Sequence, residues 1–188
     1  MSQPELLKKA VKALDDAGIE YMLTGSIVSS LQGAPRSTHD VDIVVNLSPT
    51  QVRSLTAAFP PPDYYVSDAA IAEAIKYRKM FNLLEVPTGQ KVDFWMFKDE
   101  PFNHSRFSRR CRARYFGVEV YVSSPEDTIL GKLAWAQESG GSEKQFNDAL
   151  RVFEVQGSTL DTNYINEWSG RLKVLPLWER LQREADLG

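Results

Sequence analysis

Cysteine, histidine and long apolar runs are scarce in this sequence. Cys111 is the single cysteine among 188 residues, and only two histidines are present. One thiol can neither close a disulfide within the chain nor frame a zinc site, so we expect a reducing, cytoplasmic location. No apolar run approaches the ~18 residues that a membrane-spanning helix needs, so we expect no membrane contact.

Net charge is also small, at -3 at pH 7. Such a chain exerts no general attraction on nucleic acid or on an anionic membrane, so any polyanion must meet a local patch. A hydrophobic content of 43% and a charged content of 25% are typical of a globular protein with a core. The first residues lack a basic segment followed by an apolar run, which argues against a signal peptide.

The pattern of the chain changes near residue 123. Before this point, short alternating segments predict strands at about 19–23, 40–45, 81–86 and 91–97, and a hairpin at 114–122 that turns near Gly117. After it, apolar residues at helical spacing predict four helices at about 125–138, 143–156, 162–172 and 176–187. Two capping boxes, Ser2 with Glu5 and Ser48 with Gln51, predict helix starts in the first part. We therefore divide the chain into an α/β part at 1–123 and a helical part at 124–188.

Two aspartates lie two residues apart on one predicted strand. Side chains at this spacing share a face of a strand, so Asp40 and Asp42 point together while Val41 and Ile43 turn into the core. Two carboxylates so placed repel each other unless a cation lies between them. Their oxygens are the ligands that Mg²⁺ prefers, which predicts a magnesium (or manganese) site.

Gly25 and Ser26 lie at a predicted strand-to-helix turn. Free amides at a helix N-terminus can receive a phosphate, and the small glycine permits close approach. The Ser26 hydroxyl adds a hydrogen-bond donor. A phosphate-binding turn therefore precedes the aspartate pair by one helix and one loop, a combination that nucleotidyl transfer requires.

This arrangement resembles the nucleotidyltransferase (DNA polymerase beta-like) superfamily, whose signature is Gly-Ser or Gly-Gly, a helix, then Asp-x-Asp or Asp-x-Glu on a strand. The segment from Arg36 through Ser37 and Thr38 to His39 is similar to the basic-plus-hydroxyl lead-in of AbiEii toxin-like, minimal nucleotidyltransferases. The resemblance implies an α+β nucleotidyltransferase fold, with a mixed sheet flanked by helices and a C-terminal helical region. It also implies that Arg36 and Thr38 contribute to nucleotide binding.

The superfamily usually supplies a third carboxylate from a later strand. Asp93 lies on the same face as Trp95 and Phe97 in an otherwise apolar strand, where an ionised carboxylate is costly unless it is paired. A metal ion shared with Asp40 and Asp42 would pair it. A salt bridge, for instance to a nearby arginine, would do so equally well.

Two further positions rest on the resemblance. The segment 125–133 is similar to the helix after the catalytic core in AbiEii-like proteins, where a lysine faces the nucleotide, and Lys132 stands at that position. Asp148 on the next helix matches an acidic position of the same proteins. Gln145 stands where a basic residue is common. An ordinary solvated role remains the alternative for both Lys132 and Asp148.

One dense basic run is interleaved with aromatic residues and comprises Arg106, Arg109, Arg110, Arg112 and Arg114. Such a run can bind an RNA backbone or a triphosphate. The alternative is a solvated surface whose arginines pair with nearby carboxylates.

Two hypotheses follow. The first is an enzyme that transfers a nucleoside monophosphate from an NTP to a hydroxyl or phosphate acceptor on RNA, a protein or a small molecule, with Asp40, Asp42, Asp93 and Lys132 as catalytic residues. A cognate antitoxin protein is a further expected partner. The second hypothesis is a non-catalytic module that binds a nucleotide or partner on the same fold.

Overall fold

A computed structural model of the chain describes residues 3–38 and 40–186. The predicted capping box at Ser2 and the residue His39 therefore lie outside the described residues. The chain forms two compact units, of which the first comprises Met1–Thr24 and His39–Val122 and the second comprises Gly25–Thr38 and Ser123–Gly188. The segment 25–38 thus belongs with the C-terminal helices in the structure, while the division at residue 123 into domains stays a prediction.

The first unit contains a mixed seven-stranded sheet. Its strands in chain order are β1 (Glu20–Thr24), β2 (Val41–Asn46), β3 (Tyr64–Tyr65), β4 (Met80–Glu85), β5 (Gln90–Met96), β6 (Cys111–Tyr115) and β7 (Val118–Val122). The spatial order is β3-β4-β5-β2-β1-β7-β6. β2 runs parallel to β5 and β1 parallel to β7, and the remaining neighbours are antiparallel.

Nine α-helices lie in the part of the chain that the structure describes. They are α1 (Gln3–Asp16), α2 (Gly25–Gln32), α3 (Val52–Ala57), α4 (Asp68–Tyr77), α5 (Pro101–Ser108), α6 (Pro125–Glu138), α7 (Glu143–Gln156), α8 (Thr162–Arg171) and α9 (Leu175–Glu184). Within residues 3–38 and 40–186, no helix has the length and apolar character to cross a membrane.

The central strands form where the sequence alternates as predicted. On β2 the side chains of Ile43 and Val45 are fully buried, and on β5 Val92 and Phe94 are buried beside them. β2 has hydrogen-bonded neighbours on both edges, β1 on one side and β5 on the other. Val44, on the opposite face of β2, is also buried, so pairing on both edges fixes the register rather than a single apolar face.

The predicted helix start at Ser48 is confirmed. The Ser48 amide and hydroxyl both donate to the Gln51 side-chain oxygen, at 3.1 and 2.7 Å, in a capping box. A short 3-10 turn at Pro49–Gln51 then leads into α3. The Gln51 amide also donates to the Gly18 carbonyl at 2.9 Å, which ties this helix start to the end of α1.

The second unit consists of α2 and the helices from α6 to α9. The Gln32 side chain at the end of α2 donates to the Ser123 carbonyl, and the Gln156 side chain donates to the Gln32 carbonyl, both at 2.7 Å. Trp168 and Trp178 are buried here, whereas Trp135 is 49% exposed.

Gly33 lies close to the backbone of α7. A Cβ atom at this position would lie 2.8 Å from backbone atoms of both Arg151 and Val152. Backbone atoms in a helix cannot give way as a flexible side chain can. We therefore expect Gly33→Ala to destabilise the protein by roughly 1–3 kcal/mol, measured by denaturant unfolding.

Gly131→Ala is the control for that measurement. Gly131 lies within α6, and no described atom stands within 4 Å of an added Cβ. Alanine is favoured over glycine in a helix by roughly 0.5–1 kcal/mol, so this variant should be as stable as the wild type or more so. Equal stability of both variants would contradict the close approach at Gly33.

Candidate functional site

The sheet brings acidic side chains together on β2 and β5. Asp42 on β2 and Asp93 on β5 are register partners on neighbouring parallel strands, so their side chains lie on the same face. Asp40 directly precedes β2. The Asp93 side chain is only 8% exposed, whereas that of Asp40 is 61% exposed. The sheet unit thus places a buried and an exposed carboxylate around the half-buried Asp42.

A lysine is the cation that the structure places in this acidic cluster. Lys91 Nζ lies 2.7 Å from Asp93 Oδ2 and 3.8 Å from Asp40 Oδ1. Its hydrogen bond to Asp93 raises the pKa of Lys91 above its ordinary value, despite an opposing effect of burial, and the charges of Asp93, Asp40 and Asp42 act in the same upward direction. Of the two ways to pair Asp93, the structure therefore shows a salt bridge, with a lysine rather than an arginine as the partner.

Trp95 holds the Asp42 carboxylate in position. Its indole N–H donates to Asp42 Oδ1 at 3.0 Å. Lys91, Asp93 and Trp95 alternate along β5 and so share one face. Sequence reasoning missed the roles of Lys91 and Trp95, although this period-two spacing was a signal that could have identified both.

The chemistry of these side chains fits a divalent cation. Within residues 3–38 and 40–186, no three Asp, Glu, His or Cys side chains are already grouped as metal ligands. However, Asp93 Oδ1 is buried and has no hydrogen-bond partner among the described residues. Carboxylate oxygens are preferred ligands of Mg²⁺, and Lys91 occupies a position between two of the carboxylates that suits a positive charge. The assignment of a metal to Asp40, Asp42 and Asp93 stays a prediction.

The second unit holds the predicted phosphate-binding turn. Gly25 has a φ of 72°, a left-handed conformation that glycine adopts without strain. Ser26 follows in the first turn of α2, and its Oγ accepts a hydrogen bond of 2.8 Å from Arg36 Nη2. Because the Ser26 oxygen is the acceptor in that bond, its own hydrogen remains available for donation to another group.

Asp148 holds two cations in the same unit. Arg36 donates to it from Nε and Nη2, both at 2.7 Å, and Lys132 Nζ donates to Oδ2 at 2.7 Å. The Lys132 ammonium also donates to Gln145 Oε1 at 2.8 Å. The Asp148 and Lys132 side chains are 8% and 7% exposed, whereas Arg36 is 30% exposed. We call Ser26, Arg36, Lys132 and Asp148 the arginine–aspartate–lysine cluster.

The charges of this cluster keep Asp148 ionised. Burial alone would raise the pKa of Asp148, but hydrogen bonds from Arg36 and Lys132 outweigh it and hold the pKa below the ordinary value of 3.8. The same pairing raises the pKa of Arg36. Four residues predicted to bind nucleotide are therefore in mutual contact. Thr38 is partly buried at the end of the same segment, and its role stays a prediction.

The arginine-rich segment has carboxylate and aromatic partners within the first unit. Arg110 donates to Glu20 at 3.1 Å and lies over the rings of Phe107 and Tyr121. Arg112 contacts the Tyr121 hydroxyl, at 3.3 Å from Nη2. These contacts favour the alternative that Arg110 and Arg112 belong to a surface whose arginines pair with neighbouring side chains.

The mixed seven-stranded sheet flanked by helices is the nucleotidyltransferase fold, as predicted. No protein-family model matches the sequence, and no curated protein matches it. Among solved structures, the chain is similar to ANT(2")-Ia in complex with adenylyl-2"-tobramycin, with a TM-score of 0.61 and 14% identity over 92% of this chain and 98% of that one.

Two other solved structures are also similar to this chain. An antigenic nucleotidyltransferase-like protein from Paracoccidioides brasiliensis has a TM-score of 0.56 and 19% identity, over 97% of this chain and 93% of that one. The lincosamide antibiotic adenylyltransferase LnuA, with lincomycin bound, has a TM-score of 0.54 and 12% identity, over 82% and 98%. At these identities the similarity establishes the fold, and the AbiEii-like subgroup stays a prediction.

Proposed function

We propose that this chain is a nucleotidyltransferase that transfers a nucleoside monophosphate from an NTP to a hydroxyl acceptor with the help of Mg²⁺ or Mn²⁺. The observation that carries the proposal is the register of Asp42 and Asp93 on parallel strands, next to Asp40. On a fold shared with solved nucleotidyltransferases, three carboxylates at the start of β2 and in β5 offer the oxygen ligands that this chemistry requires.

The carboxylates have distinct tasks in the proposed reaction. Asp40 and Asp42 hold the metal, with Asp42 fixed in position by the Trp95 indole. When bound, the metal supplies positive charge for the triphosphate and activates the acceptor hydroxyl. Asp93 completes the ligand set, and its carboxylate can take the proton of the acceptor hydroxyl.

The arginine–aspartate–lysine cluster provides for the triphosphate in this proposal. The backbone amides of the first α2 turn and the Ser26 hydroxyl donate to phosphate oxygens. Arg36, 30% exposed, adds positive charge beside Ser26. Lys132 is buried against Asp148, and its charge offsets that carboxylate so that the region remains favourable for an anion. Asp148 positions both cations and does not itself contact the anionic phosphates.

A small molecule with a free hydroxyl is our proposed acceptor. ANT(2")-Ia in the compared structure holds adenylyl-2"-tobramycin, and the LnuA structure holds lincomycin. This chain matches nearly the whole length of both proteins, so a fold of this size suffices for such an acceptor. An RNA or protein acceptor and a cognate antitoxin partner, which the AbiEii-like resemblance implies, stay predictions.

A labelled-nucleotide assay tests the function. The protein is incubated with Mn²⁺ or Mg²⁺, α-labelled NTPs and separate pools of hydroxyl-bearing small molecules, RNA and protein. We expect pyrophosphate release and transfer of label to a small molecule, and loss of both in Asp42→Asn. Binding of NTP without pyrophosphate release in any pool would refute the transferase proposal.

A binding module on the same fold is the second candidate, and the position of Lys91 favours it. The Lys91 ammonium, near both Asp93 and Asp40, balances part of the carboxylate charge without a metal. The two candidates differ in their metal dependence. Nucleotide affinity that is the same with EDTA and with Mg²⁺ supports the module, whereas metal-dependent affinity supports the transferase.

Ser26→Ala tests the phosphate-binding role. The change removes one hydroxyl donor and keeps the backbone amides of the α2 turn. A hydrogen bond to a charged group contributes roughly 1.5–3 kcal/mol, so NTP affinity measured by calorimetry should fall by roughly ten- to a hundredfold.

Ser30→Ala is the matched control on the same helix. Among the described residues, the Ser30 hydroxyl makes one long hydrogen bond, of 3.4 Å, to the Arg36 carbonyl. NTP affinity in this variant should stay close to the wild-type value. Equal affinities for Ser26→Ala and wild type would limit Ser26 to a role in the local fold.

A further inference from the structure

The ammonium group of Lys91 contacts two of the carboxylates that are proposed to bind the metal ion. It donates to Asp93 at 2.7 Å and lies 3.8 Å from Asp40. Asp42, the register partner of Asp93, contributes to the electrostatic field at the same ammonium. Among the described residues, Lys91 therefore offsets part of the repulsion among these carboxylates.

Lys91 forms a hydrogen bond with only one of the two carboxylate oxygens of Asp93. Its Oδ2 accepts from Lys91, while its Oδ1 is buried without a partner among the described residues. A buried polar oxygen that lacks a hydrogen bond carries a free-energy cost. A divalent ion with several coordination positions can satisfy more carboxylate oxygens than one ammonium group can.

Lys91 can leave the cluster at little cost. Its side chain is 42% exposed, in contrast to 8% for Asp93. A lysine has a long flexible stem and a strongly hydrated head group, so the ammonium can move into water while the stem stays on the strand. Asp93 is held in the sheet by its neighbours on β2 and β4 and cannot move in the same way.

We propose that Lys91 is an internal competitor for the divalent cation. Metal binding is then an exchange: the Lys91 ammonium leaves Asp93 for solvent as the ion binds to the carboxylates. This inference rests on the proposed function, since it requires the metal site at Asp40, Asp42 and Asp93. The exchange stabilises the metal-free protein and lowers its metal affinity below that of the carboxylates alone.

Titration of Mn²⁺ into metal-free protein by isothermal calorimetry tests the exchange. Lys91→Met keeps most of the stem and removes the charge. We expect it to bind Mn²⁺ roughly fivefold more tightly than the wild type, since a partly exposed ion pair contributes up to about 1 kcal/mol. The Mn²⁺-induced rise in melting temperature should also be larger, from a lower metal-free starting value.

Lys79→Met controls for the change in net charge. Lys79 lies in the same unit and pairs with Glu73 at 3.0 Å, with a side chain that is 63% exposed. Its Mn²⁺ affinity should equal that of the wild type. In a second experiment, Lys91→Met is repeated in an Asp93→Asn background, where the gain in affinity should shrink because Lys91 then faces an uncharged side chain at position 93.

Three results overturn the inference. An Mn²⁺ affinity that is unchanged or weaker in Lys91→Met would contradict the competition by Lys91 and would leave the proposed function in place. An equal gain in Lys79→Met would assign the effect to net charge alone. Absence of Mn²⁺ binding in the wild type and in every variant would remove the metal site itself, and the proposed function would fail together with the exchange.

Discussion

Asp148→Asn should destabilise the protein strongly, by about 3–5 kcal/mol. The change removes the negative charge that both Arg36 and Lys132 contact, and it turns one acceptor into an amide donor facing their donors. Arg36 can reach solvent, but the Lys132 side chain is 7% exposed and would remain as a buried cation without this carboxylate. Denaturant unfolding at neutral pH, with and without the substitution, measures the loss.

An exposed ion pair in the same unit, between Arg180 and Glu143, is the control for Asp148→Asn. Arg180 binds Glu143 at 2.8 Å, and both side chains are far more exposed than Asp148 and Lys132. Glu143→Gln should therefore cost much less than Asp148→Asn, because exposed charges remain hydrated when the partner is lost. Similar losses for the two variants would show that Lys132 is hydrated after Asp148 is removed.

Lowering the pH should reduce the difference in unfolding free energy between the wild type and Asp148→Asn. The pKa of Asp148 is lower in the folded protein than its ordinary value of 3.8, so the folded state favours the ionised form. The resulting stabilisation is complete above the ordinary value and is lost as the pH falls through the lower, folded-state pKa. The gap in unfolding free energy should therefore be largest near neutral pH and should narrow as the pH falls below 3.8. A gap that is independent of pH would contradict the assigned pKa shift.

Local patterns in the sequence predict most of the sheet and the C-terminal helices. β2 and β5 follow from partial alternation within apolar-rich runs, and the β6–β7 hairpin turns at Gly117 as expected. Two helices had weaker signals and were missed. α4 begins at the Ser67 cap, which accepts from the Ala70 amide, and buries only Ile71 and Ala74. α5 begins at a proline and buries Phe107 alone. Such narrow apolar faces do not stand out from loop sequence.

Contacts between residues far apart in the chain are the part of the site that the sequence could not predict. Arg36 and Asp148 are 112 residues apart, and no periodicity links a loop arginine to a helical aspartate. The resemblance selected both as nucleotide-binding residues but did not indicate that they bind each other. Lys91 differs, because it stands two residues before Asp93 on the same strand face. Its pairing with Asp93 was therefore accessible to period-two reasoning.

Asp93→Asn should abolish transfer and leave the metal-free fold nearly unchanged. The asparagine oxygen can still accept from Lys91, and Lys91 is 42% exposed, so no buried charge is stranded. Neutralising a buried carboxylate oxygen that has no partner in the described structure also removes a cost. We expect metal-free stability within about 1 kcal/mol of the wild type, or above it.

The expected loss of activity in Asp93→Asn comes from the same atoms. An amide is a weaker metal ligand than a carboxylate and cannot take the acceptor proton, so transfer should fall at least roughly a hundredfold. A metal-free thermal melt and a labelled-NTP transfer assay on the same preparation measure both quantities. Asp99→Asn is the control, because Asp99 pairs with His104 at the surface and should leave transfer intact. A large loss of metal-free stability in Asp93→Asn would identify Asp93 as a structural anchor. Full transfer activity in a stable Asp93→Asn protein would exclude it from the catalytic set, and the acceptor proton would then have to go to Asp40, Asp42 or water.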